Sequence, residues 1–206
     1  CIRDRIYTLD GSYKISYKPQ VFHFENEYLL VKDYLESINK NFMKIDWIND
    51  EIIHPLRIDQ IMERFIYELS GGEKQVLMIT ACLLKDADIY FFDEPSAFLD
   101  VEQRLTVAKL LRKYSKTFNK IVFVVEHDLI IHDFSADSLI LFEGEPGKFG
   151  KAITNLNLKK GFNMFLEKLG ITFRRDQRTN RPRINKLDSW LDRKQKEMKE
   201  YYYFIS

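Results

Sequence analysis

The sequence predicts an α/β protein built on a mostly parallel sheet. Two short apolar runs, at residues 89–92 and 121–125, are bounded by polar or charged residues and are typical of strands buried on both faces. Helical patterns separate the runs along the chain, and a third apolar run, residues 138–142, is predicted to be another strand. Strands that alternate with helices favour a parallel sheet covered on both faces.

The elements ahead of the first apolar run are predicted to be mostly helical. Residues 6–19 are expected to form short strands around a turn at Asp10-Gly11. Apolar side chains recur at helical spacing over residues 28–42, which indicates an amphipathic helix. The remaining predictions for this part are an irregular stretch at 46–53, a short helix at 55–62 and a helix at about 71–84.

Helices also flank the second apolar run and fill the end of the chain. They are predicted at residues 101–118, 129–134, 162–169 and 187–198. A Gly- and Pro-containing cluster at 143–150 ends the main body. We therefore predict one domain over residues 1–149, with a helical subdomain at about 27–84, and a separate tail over residues 150–206.

Composition restricts the class of protein and its setting. The chain has 206 residues, 45% of them hydrophobic and 31% charged, as in ordinary globular proteins. Cys1 and Cys82 are the only cysteines, which suits a reducing, cytoplasmic setting. No apolar run approaches the roughly 20 residues that span a bilayer, so no membrane partner is expected. Because the first residue is not Met, we expect the sequence to begin inside a longer polypeptide.

Charge is distributed unevenly along the chain. The net charge is +1, yet residues 159–199 hold 13 Lys and Arg against 5 Asp and Glu. A basic tail on an acidic body favours contact with an anionic partner. A solvated charged face is the alternative interpretation of such a run.

The strongest local motif is Leu69-Ser70-Gly71-Gly72-Glu73, which opens a predicted helix. Successive glycines let backbone amides approach an oxyanion closely, and the helix N-terminus adds positive potential. Ser70 contributes a hydroxyl group. In isolation this motif would be interpreted as a glycine turn with a serine cap.

Acidic residues follow the first apolar run, and a histidine follows the second. Asp93 and Glu94 are predicted at the carboxyl end of a strand, where open α/β sheets bind ligands. In nucleotide chemistry Asp93 would hold Mg²⁺ through water, and Glu94 would polarise the attacking water. His127 is predicted at the same edge, within reach of a γ-phosphate or that water. We interpret the other histidines, His23, His54 and His132, as solvated.

Two further elements complete an ordered set. Gln20 ends an extended segment with an amide that could reach both Mg²⁺ and the water, and residues 96–100, Ser-Ala-Phe-Leu-Asp, follow the acidic pair. The order is glutamine, glycine motif, acidic pair, Ser-to-Asp loop and histidine. Five elements in one order, each on the expected type of structure, make chance agreement improbable.

This order resembles that of the ABC-type ATPases, P-loop NTPases, over nearly the whole chain. The resemblance implies that Gln20 is the Q-loop residue, that Leu69, Ser70, Gly71, Gly72 and Glu73 are the signature, and that Asp93 and Glu94 are the Walker B pair. It also makes Ser96 and Asp100 part of the D-loop and His127 the switch histidine. In that family two domains sandwich two ATP molecules, so the signature would serve a site across the interface.

Several stretches are similar to the second nucleotide-binding domain of the RNase L inhibitor subfamily. They are residues 55–58, 93–104 and 123–128, and in the tail 161–166, 169–176 and 180–186. The resemblance implies that this tail belongs to a hinge between two ATPase domains. Its basic residues are then candidates for contact with RNA or with the partner domain: Arg174, Arg175, Arg181, Arg183 and Lys186.

Subfamily members split ribosomes after termination or stalling. The resemblance therefore implies a ribosome recycling factor that binds ATP and Mg²⁺ and whose ATPase cycle drives closure of two domains. The implied partners are the ribosome, especially its small subunit and RNA, a release or rescue factor, initiation factors, and a second nucleotide-binding domain in the same full-length chain. The resemblance also implies roles in translation initiation and in ribosome biogenesis. The alternatives are the ATPase subunit of an ABC transporter and a non-hydrolysing translation regulator or scaffold.

The sequence departs from the family pattern in three places. The phosphate loop G-x-x-x-x-G-K-[ST] is absent, and so is the N-terminal region in which the subfamily carries iron–sulfur clusters. Val76 occupies a position where the signature helix usually has Arg. We expect the isolated chain to bind ATP poorly. The missing parts are expected to lie upstream in the full gene product, and a degenerate half is the alternative.

Overall fold

The structure is a computed structural model that describes residues 5–8, 11–21, 23–145, 147–176 and 182–203. It divides into two units, Cys1–Ser135 and Ala136–Ser206, and each is described by itself. The predicted division between residues 149 and 150 falls within a strand of the second unit and stays a prediction. None of the helices formed by the described residues combines the length and apolar character that crossing a bilayer requires.

A four-stranded sheet forms the centre of the first unit, in the order β1-β2-β3-β4. Its strands are β1 (Arg5–Thr8), β2 (Gly11–Lys18), β3 (Ile89–Asp93) and β4 (Ile121–Val125). Strands β1 and β2 are antiparallel, whereas β3 runs parallel to both β2 and β4. The α/β class and the parallel pairing are therefore as predicted.

Only one face of this sheet is well buried. Tyr90 and Phe92 of β3 are each 1% exposed, while Ile121 and Val125 of β4 are 54% and 57% exposed. The prediction that β4 is buried on both faces is wrong. A continuous apolar run shows that both faces of a strand are apolar, but not that both are covered.

Helices α3 (Gly71–Leu84) and α4 (Val101–Phe118) begin and end where the sequence predicts. Ser70 and Asp100 cap their N-termini, and each side-chain oxygen accepts a hydrogen bond from the backbone amide three residues later. Tyr114 of α4 packs edge-to-face against Tyr90 of β3, with ring centroids 5.2 Å apart. Ser16, which pairs with Tyr90 in register, donates to the Cys82 carbonyl of α3 at 2.8 Å, so both helices pack on the same face of the sheet.

The region between β2 and α3 differs from the prediction in detail. Helix α1 spans Val31–Ile38, shorter than expected. The stretch predicted to be irregular is helical: α2 (Asp46–Ile48) continues as a π-helix (Asn49–Ile53). The helix predicted at 55–62 is reduced to a 3₁₀ turn, Ile58–Gln60. Further 3₁₀ turns are Phe42–Lys44 and Ile66–Glu68, and the first unit ends with α5, Leu129–Ser135.

Burial explains why the chain is helical over residues 46–53. Ile52 and Ile53 are 0% and 2% exposed and join the main hydrophobic core. Tertiary packing therefore stabilises a helical path that the polar residues Asn49 and Asp50 do not favour by themselves.

The second unit contains a hairpin, two helices and a small sheet. Strands β5 (Ser138–Glu145) and β6 (Phe149–Asn157) pair antiparallel. The strand predicted at 138–142 therefore exists, but within the described residues it pairs with β6 and not with the parallel sheet. The other elements are α6 (Leu158–Leu169), β7 (Phe173–Arg175), β8 (Pro182–Ile184), α7 (Trp190–Glu197) and β9 (Tyr202–Tyr203), with the sheet order β8-β7-β9.

The second unit has its own core. The rings of Phe162, Phe173 and Tyr202 stack on one another, and Phe162 and Tyr202 are nearest, at 4.5 Å between centroids. Beside them the carboxylate of Asp192, 1% exposed, accepts a 2.6 Å hydrogen bond from the hydroxyl of Thr172. This buried bond ties the start of β7 to helix α7.

Candidate functional site

Four of the predicted site residues, Gln20, Asp93, Glu94 and His127, follow or end neighbouring strands of the first unit's sheet. Because β2, β3 and β4 are parallel, their carboxyl ends lie side by side, with Asp93 paired in register with Val125. Asp93 ends β3, and His127 follows the end of β4. Gln20 lies two residues beyond the end of β2 and is exposed. The sheet thus brings the strand ends that carry these residues side by side, and their role in nucleotide binding stays a prediction.

Glu94 and His127 are in direct contact. Nε2 of His127 lies 2.9 Å from Oε1 of Glu94, and since a carboxylate accepts, the ring nitrogen donates. The Glu94 side chain is 21% exposed and the His127 side chain 84%. The carboxylate is thus partly shielded, while the imidazole faces solvent, where a substrate would approach.

The backbone of Glu94 adopts a left-handed conformation, with φ of 45°. For a residue with a Cβ this costs about 1–2 kcal/mol, so the surrounding bonds must hold it. Its amide donates to the carbonyl of Val125 at 2.9 Å, and its own carbonyl accepts from the amide of Ala97 at 3.2 Å. The carboxylate that contacts His127 therefore belongs to a residue whose backbone is held on both sides by hydrogen bonds.

Lys18 is a buried cation beneath the site. Its side chain is 0% exposed, and Nζ donates to the carbonyls of Asp93 at 2.9 Å and Glu94 at 3.3 Å. Burial lowers the pKa of Lys18 to about 8, although the carboxylates of Asp93, Glu126 and Glu94 act in the opposite direction. The sequence analysis missed Lys18. The only signal is its period-two spacing from the buried Ser16 on β2.

Asp93 presents oxygen ligands beside an aromatic hydroxyl. Its Oδ2 lies 3.5 Å from the hydroxyl of Tyr17, and burial together with the Asp93 charge raises the pKa of Tyr17. In the described part of the chain no group of three or more His, Cys, Asp or Glu could hold a metal. One carboxylate with the amide of Gln20 at the same edge fits Mg²⁺, which takes one or two protein oxygens and completes its shell with phosphate and water.

The glycine turn before α3 is at the surface. Ser70 and Gly71 are exposed, and as the first two helical positions Gly71 and Gly72 have amides without intrahelical acceptors. These amides and the Ser70 hydroxyl are suited to bind an anion.

The outer residues of the motif support the turn. Leu69 is 6% exposed and belongs to the core. The Glu73 carboxylate accepts from the Ser70 amide at 2.7 Å and from Arg64 at 2.6 Å. Burial acts to raise the pKa of Glu73, but these bonds outweigh it and hold the pKa below its ordinary value.

The loop of residues 96–100 links the acidic edge to the glycine turn. The amide of Ser96 donates to Oε1 of Glu126 at 2.8 Å, and Asp100 caps α4 by accepting from the amide of Gln103 at 2.8 Å. Between them Phe98 is left-handed, with φ of 63°. A Cβ added to Gly72 would lie 3.0 Å from the carbonyl oxygen of Phe98, so the glycine permits this close approach.

Glu126 and His132 also contribute, and sequence reasoning gave neither of them a role. Glu126 binds Ser96 through Oε1, and its Oε2 accepts from the His127 amide at 3.2 Å. His132 lies on α5, and its Nε2 donates to the Glu126 carbonyl at 2.8 Å. The interpretation of His132 as a solvated histidine is wrong, because its ring fixes the end of β4.

The basic candidates of the tail lie in the second unit. Arg174 on β7 pairs in register with Arg183 on β8, and Arg183 contacts Asp176 at 3.3 Å. Arg175 ends β7, and Lys186 is exposed two residues after β8. Arg181 lies outside the described residues. Contact of these residues with RNA or with a partner domain stays a prediction.

The chain is similar in sequence and in structure to known proteins. A family model described as "ABC transporter" matches residues 10–97. "Translation initiation factor RLI1" of Saccharomyces cerevisiae is 41% identical over 92% of this chain and 31% of its own length. A solved structure of "RNase-L Inhibitor" is 46% identical with a TM-score of 0.86, covering 93% of this chain and 37% of that one.

A second solved structure is described as "Model of ribosome-bound archaeal Pelota and ABCE1". It is 44% identical with a TM-score of 0.89, covering 95% of this chain and 33% of that one. The chain spans about a third of the length of the curated relatives that it matches along most of its own length. The similarity to the RNase L inhibitor group therefore extends over both units.

Proposed function

This chain belongs to the ABC ATPases, and on that premise we propose that it supplies the ATP-hydrolysing carboxylate and the trans-acting signature of an ATP-dependent ribosome recycling factor. The observation that supports the proposal best is the 2.9 Å contact between Glu94 and His127 at the carboxyl edge of a parallel sheet. Ligands of open α/β sheets bind at this edge.

In the proposed reaction Glu94 acts as the base that orients and polarises the attacking water. Its carboxylate is partly shielded, and one oxygen is already engaged by His127, which leaves the other for the water. His127 is exposed, and its ring N–H would turn from Glu94 to the γ-phosphate when ATP is bound. Phosphoryl transfer depends mainly on such positioning and on stabilisation of charge.

Asp93 and Gln20 would hold Mg²⁺ at the same edge. When bound, Mg²⁺ supplies positive charge that neutralises the phosphate oxygens. Lys18 keeps the Asp93 and Glu94 carbonyls in place from below, so that both carboxylates are directed toward the edge.

The signature turn would act on a second nucleotide site. Ser70 and Gly71 are exposed and Gly72 is half-buried, and together they offer a hydroxyl and two amides without intrahelical acceptors. They would close over the γ-phosphate held by another nucleotide-binding domain. ATP would then pull the two domains together, and hydrolysis would let them separate.

The relatives indicate where this motion would be used. The names of the matching proteins refer to translation initiation and to ribosome-bound ABCE1 with Pelota. We accordingly propose the ribosome, especially its small subunit, and a release or rescue factor as partners in the cytoplasm, with initiation factors as further partners. The basic tail residues are proposed to contact RNA or the partner domain: Arg174, Arg175, Arg181, Arg183 and Lys186.

The test uses the complete gene product. We expect ATP hydrolysis that depends on Mg²⁺, cosedimentation with ribosomes, and ATP-dependent conversion of 70S- or 80S-type particles into subunits. Hydrolysis without ribosome binding, together with copurification of a membrane protein, would indicate the transporter alternative. Ribosome binding without hydrolysis would indicate the non-hydrolysing regulator.

A further inference from the structure

Gln75 connects helix α3 to the backbone of Glu94. It lies two residues after the signature on α3, it is 0% exposed, and its Nε2 donates to the Glu94 carbonyl at 2.8 Å. Its Oε1 is buried and has no hydrogen-bond partner within the described residues. A buried side-chain amide with one unpaired polar atom raises the free energy of the folded state. The one hydrogen bond that Gln75 does make therefore calls for an explanation.

The Glu94 carbonyl is the point where three donors converge. Gln75 is the nearest, and Lys18 Nζ at 3.3 Å and the Ala97 amide at 3.2 Å are the others. This carbonyl belongs to the residue with the left-handed backbone. Since rotation of the peptide group would redirect the carboxylate, the bond from Gln75 helps set the direction of Glu94 toward His127.

Helix α3 also contacts the far side of the same loop. Its first residues, Gly71 and Gly72, lie against Phe98, the second left-handed residue after Asp93. The helix therefore touches the loop of residues 94–99 both near its start and near its end. A rigid helix that moves would carry both contacts with it.

We infer that Gln75 is a positioning residue that ties the signature turn to the direction of the Glu94 carboxylate. Contact of a phosphate with Ser70–Gly72 would press on α3, and the Gln75 bond would pass the displacement to Glu94. The domain would thus report engagement of the neighbouring nucleotide to its own hydrolytic site. This inference rests on the proposed ATPase function.

The first test compares two variants of the complete gene product. Gln75→Met keeps the volume of the side chain and removes the hydrogen-bond donor. Thr80→Val is the control: Thr80 lies on the same helix, and its buried hydroxyl has no hydrogen-bond partner among the described residues. We expect Gln75→Met to lower kcat about tenfold or more and leave KM for ATP within about twofold, with Thr80→Val like the wild type. Equal kcat in all three proteins would overturn the inference.

A second measurement does not depend on hydrolysis. The Ala97 amide bonds the same carbonyl, so its hydrogen exchange should accelerate in Gln75→Met and remain unchanged in Thr80→Val. Unchanged exchange in Gln75→Met would overturn the positioning role. If the wild-type product does not hydrolyse ATP, the proposed function fails while this measurement still decides the role of Gln75.

The link to the signature is tested by a double-mutant cycle. Ser70→Ala and Gln75→Met should together reduce kcat by less than the product of their separate effects, because both interrupt one chain of contacts. Losses that multiply would show that Ser70 and Gln75 act independently, and would overturn the coupling.

Discussion

Nε2 of His127 contacts Oε1 of Glu94 across two neighbouring strand ends, at 2.9 Å. The two residues are 33 positions apart, and only the parallel pairing of β3 with β4 brings them together. The position of each side chain depends on the pairing of β3 with β4. A displacement of either strand end should therefore alter the contact between Glu94 and His127.

Glu94→Gln should abolish most hydrolysis while preserving ATP binding. The amide keeps the shape of the side chain but cannot accept a proton from water, and removal of a general base typically costs about 10²–10⁴-fold in rate. Single-turnover ATPase measurements on the complete gene product test this, and the variant should accumulate on ribosomes in the closed state. Glu63→Gln, an exposed carboxylate outside the site, is the matched control. Turnover equal to the wild type would contradict the role of Glu94.

Lys18 should make the first unit more stable as the pH rises above neutrality. Below about pH 8 the buried lysine is charged, and the native state bears the full cost of that buried charge. Between about 8 and the ordinary pKa of 10.5, the unfolded chain binds a proton that the folded chain does not. The free energy of unfolding therefore increases with pH, by about 1 kcal/mol between about pH 7 and about pH 9.

The measurement is urea unfolding in a Trp190→Phe background, which leaves Trp47 as the only tryptophan and reports on the first unit. Lys18→Met should remove the increase, and Lys32→Met, which changes a lysine of α1, should retain it. The window ends near pH 10, since burial raises the pKa of Tyr17, Tyr34, Tyr90 and Tyr114 and reverses the slope above it. The same slope in Lys18→Met would refute the assignment.

Gly72→Ala should destabilise the first unit, whereas Gly71→Ala should not. A Cβ at position 72 would lie 3.0 Å from the carbonyl oxygen of Phe98, but at position 71 it would lie 3.7 Å from the Phe98 ring. Overpacking against backbone costs about 1 kcal/mol or more, while alanine otherwise favours a helix. Chemical denaturation of both variants gives the comparison, and equal free energies of unfolding would contradict the close approach.

Asp192→Asn should loosen helix α7 and alter its response to acid. Burial acts to raise the pKa of Asp192, but hydrogen bonds from Thr172, Lys196 and the Asp188 amide outweigh it and hold the pKa below 3.8. The carboxylate therefore stabilises the second unit above about pH 4, and this contribution is lost as the pH falls through the lowered pKa.

Amide hydrogen exchange in α7 measures the effect. We expect a loss of about 2 kcal/mol of protection in Asp192→Asn at neutral pH, because a charged acceptor is removed from a buried site. Asp188→Asn keeps the backbone amide that binds Asp192 and is the control. Protection that is unchanged in Asp192→Asn would show that the buried network contributes nothing.

Local signals predicted the elements that have strong caps. Helices α3 and α4 follow Ser70 and Asp100, and both begin where those residues indicate. The helix over 46–53 was missed because the buried side chains of Ile52 and Ile53 stabilise it through contacts distant in sequence. The sequence analysis predicted β5 but no strand over Phe149–Asn157, and strand periodicity does not identify a pairing partner, so the hairpin was missed.

The site was predictable where motifs carry it and hidden where packing carries it. Glu94 and His127 are named by their place after apolar strands, and the structure brings them into contact. Lys18 and Gln75 both donate to the Glu94 carbonyl, yet each looks like an ordinary polar residue in the sequence. Their roles depend on burial, which one sequence does not state.

The exposed face of strand β4 affects the solubility of this chain. Ile121, Phe123 and Val125 form an apolar stripe, from 36% to 57% exposed, on a strand that pairs only with β3 in the described part of the chain. An exposed apolar stripe on an edge strand favours association between molecules. Solutions of the isolated chain should scatter light increasingly with concentration, and a lysine in place of Phe123 should keep them clear.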